Sequence, residues 1–254
     1  MPLFNSFSSK FSFGKSPMNA MKSPAELSGL KAWYAADSIT GVSNGGSIST
    51  LSDLSGNGYT LSGGATYVSS DVKFGNKPAI AFSAGFHSLV RNSTTGFPSG
   101  NQPFAMYIVG YSTRNSVDPL FGWGTNSTRQ SVTIYRAYFV AGGPGGYYVD
   151  FTGTGAGGSY TSPASVAYVF AYSYGGGSAD SYPMYQNLVP HSTGNSVGAL
   201  NIPASMTLAM GEKPDFGGYR LGGSIAEAIV YNEYHNLQKI TMVSSYLNSK
   251  YNIY

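Results

Sequence analysis

The chain has 254 residues, no cysteine, 34 glycines, 21 tyrosines and only 10% charged residues. The lack of cysteine excludes a disulfide scaffold, a thiolate metal site and a cysteine nucleophile. The Gly- and Tyr-rich profile excludes a helical bundle and points to aromatic strands joined by glycine turns. The net charge is +3, and Lys10, Lys15 and Lys22 against Glu26 supply most of it. The remainder is nearly neutral and lacks the basic footprint of a nucleic-acid binder. No apolar run approaches a membrane span, and no apolar segment comes after the first lysines as in a secretion signal. A chain of this length buries enough surface to need no covalent staple, and all-β chains of this size commonly form one domain.

Residues 1–26 differ in character from the rest of the chain. Phe4, Phe7, Phe11 and Phe13 stand among Ser, Asn, Gly and Lys, and Pro2, Pro17 and Pro24 break regular structure. Disordered tails are poor in aromatics, so the expectation is an extended anchoring arm that buries its phenylalanines on a partner or on its own body. The body runs over residues 27–254. Leu30, Ala32, Trp33 and Tyr34 predict a first strand, and Ile48 to Asp53 a second. Further strands are predicted at 78–82, 87–90, 104–111, 119–123, 131–140, 147–151, 166–174, 184–188, 206–210 and 225–231. In the last of these, strict alternation places Ile225, Glu227, Ile229 and Tyr231 on one face and Ala226, Ala228 and Val230 on the other. Leu237, Ile240, Val243 and Leu247 then recur at helical spacing, with Asn236 as N-cap and Lys250 in the last turn. Many short strands between Gly/Ser/Asn turns predict a sandwich or jelly roll.

Several motifs carry a resemblance. Leu-Lys-Ala-Trp-Tyr-Ala-Ala-Asp at 30–37, Leu-Ser-Asp-Leu-Ser-Gly-Asn-Gly at 51–58, Lys-Pro-Ala-Ile-Ala-Phe at 77–82, Gly-Ser-Ile-Ala-Glu-Ala-Ile-Val-Tyr-Asn at 223–232 and Tyr-Leu-Asn-Ser-Lys-Tyr at 246–251 stand in this order. Together they resemble the concanavalin A-like (laminin-G-like) jelly-roll domain. The resemblance implies an all-β, two-sheet antiparallel sandwich closed by one short C-terminal helix. Such domains occur in phage virion proteins, lectin-like modules and glycan-active enzymes, and the Phe/Ser/Gly/Lys opening resembles phage attachment segments.

Candidate chemistry is sparse. A glycosidase needs two carboxylates flanking the scissile bond, and no strand presents such a pair. The closest acids, Glu212 and Asp215, read as part of a turn. Glu227 stands alone on its strand and reads as a buried acceptor of structural hydrogen bonds. His87, His191 and His235 lie far apart, with no metal-ligand spacing, and read as surface or rim residues. The Gly-x-Gly-x-x-Gly string at 153–158 lacks the helix that a dinucleotide fold requires. Asp53, Ser55 and Asn57 place oxygens at alternate positions like the start of a calcium loop, but its closing acid would fall at Gly64; turn chemistry explains the same residues. No other cofactor is implied. Trp123, Tyr147, Tyr148, Tyr160, Tyr182 and Tyr219 lie in or beside Gly-rich segments and are the candidates for stacking on a sugar. These features point to a non-enzymatic virion structural protein (fibre, decoration or host-recognition module). It would be held to other virion proteins by residues 1–26, self-associate as a homo-oligomer and bind a host surface glycan. The alternatives are an extracellular lectin-like module and a glycan hydrolase or lyase.

Overall fold

The computed structural model describes residues 21–85, 87–114, 116–137, 145–152, 162–179, 182–191 and 198–254. In chain order the strands begin with β1 (Leu30–Ala35), β2 (Ser47–Leu51), β3 (Leu61–Asp71), β4 (Lys77–Phe82), β5 (Ser88–Thr95) and β6 (Phe104–Ser112). Next come β7 (Asp118–Gly124), β8 (Ser131–Ala137), β9 (Gly146–Asp150), β10 (Tyr168–Tyr174), β11 (Met184–Gln186) and β12 (Val189–His191). The last are β13 (Ser205–Met210), β14 (Glu212–Lys213), β15 (Phe216–Arg220) and β16 (Gly223–Tyr231), before the helix α1 (Leu237–Tyr251).

Fourteen strands form one antiparallel sheet in the order β12-β11-β10-β6-β16-β4-β3-β5-β13-β7-β8-β9, with β1 added to β16 and β2 to β3. The remaining two, β14 and β15, form a separate hairpin. The sheet curls so that β6, β10 and β16 face β7, β8, β9 and β13 across the main core. Aromatic side chains fill the gap: Phe104 meets Trp123 at 4.9 Å, Tyr147 meets Phe170 at 4.5 Å and Phe151 meets Tyr172 at 5.7 Å between ring centroids. These edge-on and tilted geometries suit aromatic quadrupoles.

The expected all-β architecture with a C-terminal helix is present, and among the described residues all strands but β14 and β15 belong to one continuous curled sheet rather than to two separate ones. The corner is β3, which pairs with β4 over 66–71 and with β5 over 62–64. A Cβ at Gly63 would lie 2.1 Å from the Ser88 carbonyl oxygen, so only glycine permits this approach. The β3 sequence, Leu-Ser-Gly-Gly-Ala-Thr-Tyr-Val-Ser-Ser-Asp, is poor in strand formers and predicts no strand. The neighbours on both sides override propensity.

The outer side of β6, β10 and β16 is covered by α1. Ile240, Val243, Leu247 and Tyr251 pack against Tyr107, Val109, Ala226, Ile229 and Tyr231 in a second core. Burial of each large aliphatic side chain contributes about 1.5–3 kcal/mol. Asn236 caps the helix as predicted, its side-chain oxygen accepting from the Lys239 N–H at 3.1 Å. Leu237, predicted for the apolar stripe, is exposed in the first turn.

The predicted alternation along β16 fails at one point. A bulge between Ile225 and Glu227 inserts a residue opposite β6. Ile225 therefore joins Ala228 and Val230 in the main core, while Ala226, Ile229 and Tyr231 face the helix. A bulge re-aims side chains without ending the strand, and here Glu227 points at α1.

Candidate functional site

Two places gather chemistry-bearing side chains. The first surrounds Trp33 on the helix side. Its indole N–H donates to Glu227 at 2.7 Å, and its backbone N–H donates to Asp53 at 3.0 Å. Glu227 is wholly buried and also accepts from Lys250 Nζ (2.8 Å), Tyr251 OH (2.8 Å) and Tyr246 OH (3.3 Å). Burial and the carboxylate push both tyrosine hydroxyls well above their ordinary pKa. This is the structural acceptor that the sequence suggests, with donors from β1 and α1. Lys250 also pairs with Asp37 at 3.0 Å. The structure thus brings together two carboxylates that are far apart in the chain, an arrangement sequence reading misses. Both touch the same ammonium, Lys250 Nζ, which places them side by side as glycoside hydrolysis would require of its two acids. Yet Glu227 has no exposed surface and its oxygens are already used, so the pair is a structural ion cluster. A groove of about 840 Å³ lies over it, lined by Trp33, Asp37, Tyr246 and Lys250.

The 53–58 loop belongs to the same cluster. Asp53 accepts from the N–H groups of Trp33, Ser55 and Tyr59 and from the Ser55 hydroxyl. Ser55 and Asn57 bond the Lys31 carbonyl, and Asn57 also bonds that of Leu30. The donor set does not fit a cation: the Asp53 oxygens are occupied by protein hydrogens, and the side chains of Ser55 and Asn57 point at β1. Among the described residues no three His, Asp or Glu side chains group as metal ligands. The loop fastens β1 to the body.

The histidines divide. His87 bonds within its own loop, to Ser83. His235 is not a rim residue: it is wholly buried, 2.7 Å from Tyr107 OH through Nδ1, with its ring 4.4 Å from that of Tyr231. Its Nε2 lies 3.4 Å from Glu233 Oε1 and makes no hydrogen bond among the described residues. Burial, then Lys239, lowers its pKa to about 4. His191 is lowered to about 4 as well, by burial.

The six aromatic candidates are spread widely. Trp123 is wholly buried, donating to the Pro98 carbonyl at 3.1 Å, and Tyr147 is wholly buried against Phe170, its oxygen accepting from Ser112 N–H. Neither ring reaches solvent, because alternation turns both inward. Tyr182 stacks between Tyr174 and Tyr234 and donates to the Gly176 carbonyl. Tyr160 lies outside the described residues, as do Phe4, Phe7, Phe11, Phe13 and the 153–158 glycine string. Tyr219 lines the second place, and Tyr148 packs against one of its wall residues, Tyr135.

This second place is a cleft of about 210 Å³ on the outer side of β7, β8 and β9, under the 212–220 hairpin. The inward residues of β8 and β9 are Val132, Ile134, Tyr147 and Val149, which leaves Thr133, Tyr135, Tyr148 and Asp150 on the outer face. Thr133, Tyr135, Asp150, Lys213 and Tyr219 line the cleft. Tyr148 packs on Tyr135 at 5.9 Å. Asp150 pairs with Lys213 of β14 at 2.6 Å, both largely shielded from water. Tyr219 is 40% exposed and forms the open wall. Burial, then the Asp150 charge, pushes the Tyr135 hydroxyl well up. Gly122 stands opposite Thr133; a Cβ there would come within 2.5 Å of the threonine oxygen. That hydroxyl is buried and has no hydrogen-bond partner among the described residues. A buried polar group in this state is uncommon and demands an explanation. Asp215 lies in the hairpin turn at φ 55°, as predicted, whereas Glu212 belongs to strand β14 and pairs with Arg220 of β15. The sequence carries no signal that this hairpin roofs β8 and β9, so Thr133, Tyr135, Asp150 and Lys213 do not stand out in it. The polar/apolar alternation Ser131-Val-Thr-Ile-Tyr135 is the one available hint.

Compared with protein-family models and with curated proteins, the sequence matches none. Solved structures do resemble it. An arabinofuranosidase complexed with arabinofuranosyl-α-1,2-xylobiose superposes with a TM-score of 0.61 at 16% identity, over 82% of this chain and 52% of that one. Domain 4 of AbnA, an extracellular arabinanase from Geobacillus stearothermophilus in complex with arabinotriose, gives 0.57 at 16% identity, over 85% and 98%. Trypanosoma rangeli sialidase in complex with sialic acid gives 0.54 at 11% identity, over 89% and 34%. The chain thus spans about half the arabinofuranosidase and a third of the sialidase. At these identities the likeness is one of fold: an all-β chain with a curled antiparallel sheet. It corrects the expectation of a non-enzymatic virion protein. The structural neighbours come from glycoside hydrolases, and nothing among them supports a phage origin.

Proposed function

We propose that the chain is a glycan-processing protein that seats a sugar ring in the cleft under the 212–220 hairpin. The observation that carries this reading is the buried, unpartnered hydroxyl of Thr133 in a cleft walled by tyrosines. Sugar-sized sites combine apolar walls with a few convergent polar groups. Tyr135 and Tyr219 offer ring surface, Thr133 can donate to or accept from a sugar hydroxyl, Asp150 accepts and Lys213 donates. Among the described residues Asp150 is the one carboxylate lining the cleft, and it takes the part of one of the two acids that glycoside hydrolysis uses. The likeness to arabinose- and sialic-acid-directed proteins supports the reading as analogy of fold. The two facing halves of the curled sheet are taken as the layers of a concanavalin A-like sandwich, with the cleft on the outside of one and α1 on the outside of the other.

The test is calorimetric titration with arabino-, xylo- and sialyl-oligosaccharides, together with a reducing-end assay. Tyr219→Ala should weaken binding about tenfold or more, as expected for loss of an aromatic anchor, and Asp150→Asn should abolish turnover. No binding to any of these glycans overturns the reading. Binding without turnover in the wild-type chain removes its processing half.

A further inference from the structure

We infer that the glycan is acidic: next to the cleft a second hollow presents two arginines to a carboxylate or sulfate carried by the sugar. The inference rests on the reading of the cleft as the sugar site. The hollow, of about 320 Å³, shares Val117 and Tyr219 with the cleft and is lined by Arg114 and Arg220. Tyr219 is therefore a partition, with a ring-sized space on one side and two guanidinium groups on the other.

Both arginines are held in place yet keep donors to spare. Arg114 is gripped by the buried Asp118 through Nε and Nη2, and its Nη2 also donates to the Arg220 carbonyl. Arg220 donates from Nη1 to the Gly85 carbonyl at 2.7 Å. Its Nε is 3.4 Å from Glu212 and forms no hydrogen bond among the described residues, although it is buried. Among the described residues, Nη1 of Arg114 and Nη2 of Arg220 also have no acceptor. Fixed guanidinium groups with unused N–H donors match the geometry of a planar carboxylate or a sulfate. A neutral hydroxyl accepts at most two such bonds, without charge assistance, and leaves the rest unmet. Asp118 and Glu212 already balance the two cations, so the pull on an anion comes from these oriented donors, and the loose Glu212–Arg220 pair is the one an incoming anion would displace.

The experiment compares matched ligands that differ in charge: trigalacturonate against its methyl ester, and sialyllactose against its carboxyl methyl ester. Each is titrated into the full chain at low and at high salt. The acidic member of at least one pair should bind about tenfold more tightly, as charge-assisted bonds do, and should lose most of that advantage at high salt. Arg220→Gln should cancel the advantage and leave the neutral member within about twofold, since a neutral ligand makes no charge-assisted bond. Equal binding of acidic and neutral members, or an advantage that survives Arg220→Gln, overturns the inference while leaving the cleft intact. If Arg220→Gln does not fold, the salt dependence of the wild-type pairs decides. Failure of every ligand to bind overturns the inference and the cleft reading together, and binding of neutral ligands that Tyr219→Ala abolishes keeps the cleft alone.

Discussion

Glu227 and Asp150 are both buried carboxylates, and they sit on opposite outer faces of the curled sheet. Glu227 faces the helix and collects four donors from Trp33, Tyr246, Lys250 and Tyr251. Asp150 faces the hairpin and pairs with Lys213, in a cleft where a neighbouring hydroxyl lacks a partner among the described residues. A buried carboxylate with all its lone pairs used is committed to holding elements together. One beside unmet hydrogen-bonding capacity is placed to meet something from outside. Burial alone would have ranked Glu227 first as a functional acid; the state of its neighbours reverses that order.

The sharpest way to break this comparison is Glu227→Ala. Removing one member of a buried, hydrogen-bonded ion cluster leaves Lys250 and the Trp33 indole without their acceptor, at a cost of about 3–5 kcal/mol. Thermal melting should drop by roughly 10 °C or more for a chain of this size, while glycan affinity measured on the folded fraction stays unchanged. A variant as stable as wild type would remove the distinction between the faces.

The next effect is pH dependence on the helix side. His235 is buried in its neutral form with a pKa of about 4, against about 6.5 when unfolded. Below pH 6.5 the unfolded chain takes up the proton and the folded chain does not. Stability is therefore full above 6.5 and is lost as the pH falls towards 4, by up to about 3 kcal/mol. Urea midpoints across this window should fall in the wild type and fall less steeply in His235→Gln, the partly buried His191 supplying the remaining slope.

On the cleft side the expected sign is opposite. Thr133→Val replaces a buried, unpartnered hydroxyl with a methyl group of the same shape. It should raise stability by about 1 kcal/mol while weakening glycan binding. A loss of stability would mean that the hydroxyl is bonded in solution, and Thr133 would drop out of the site. The smallest effect concerns the 53–58 loop: because its oxygens face protein hydrogens, calcium or EDTA should move the melting temperature by less than about 1 °C, within the scatter of a null linkage.

These contrasts show what a single sequence carries. The strands around Phe104–Ser112 and Gly223–Tyr231 and the helix with its Asn236 cap are legible because periodicity and capping are local. The motif residues Trp33, Asp53 and Glu227 are visible as landmarks, and the structure shows them hydrogen-bonded to one another through Trp33. β3 is not legible, since its strand state is imposed by neighbours around Gly63. Nor is the β16 bulge, which a strict two-residue period cannot contain. The cleft joins β8 and β9 to a hairpin distant in the chain, and no local pattern in Thr133 or Asp150 announces that meeting. Counting tyrosines next to glycines picks Tyr219 and Tyr148 but also Trp123 and Tyr147, because proximity to glycine does not say which way a side chain faces.

The position of β16 bears on how the chain reaches this state. It lies between β6 and β4 and also pairs with β1, so a strand from residues 223–231 completes ladders begun by residues 30–35, 77–82 and 104–112. Contacts between the two ends of the chain must wait for nearly all of it, and such non-local pairing folds slowly. During synthesis the earlier strands leave the ribosome with apolar edges unpaired, the condition in which chains associate wrongly. Shortening the chain to before Gly223 would thus do more than remove a strand: it would leave the middle of the sheet as an open seam in an otherwise finished half.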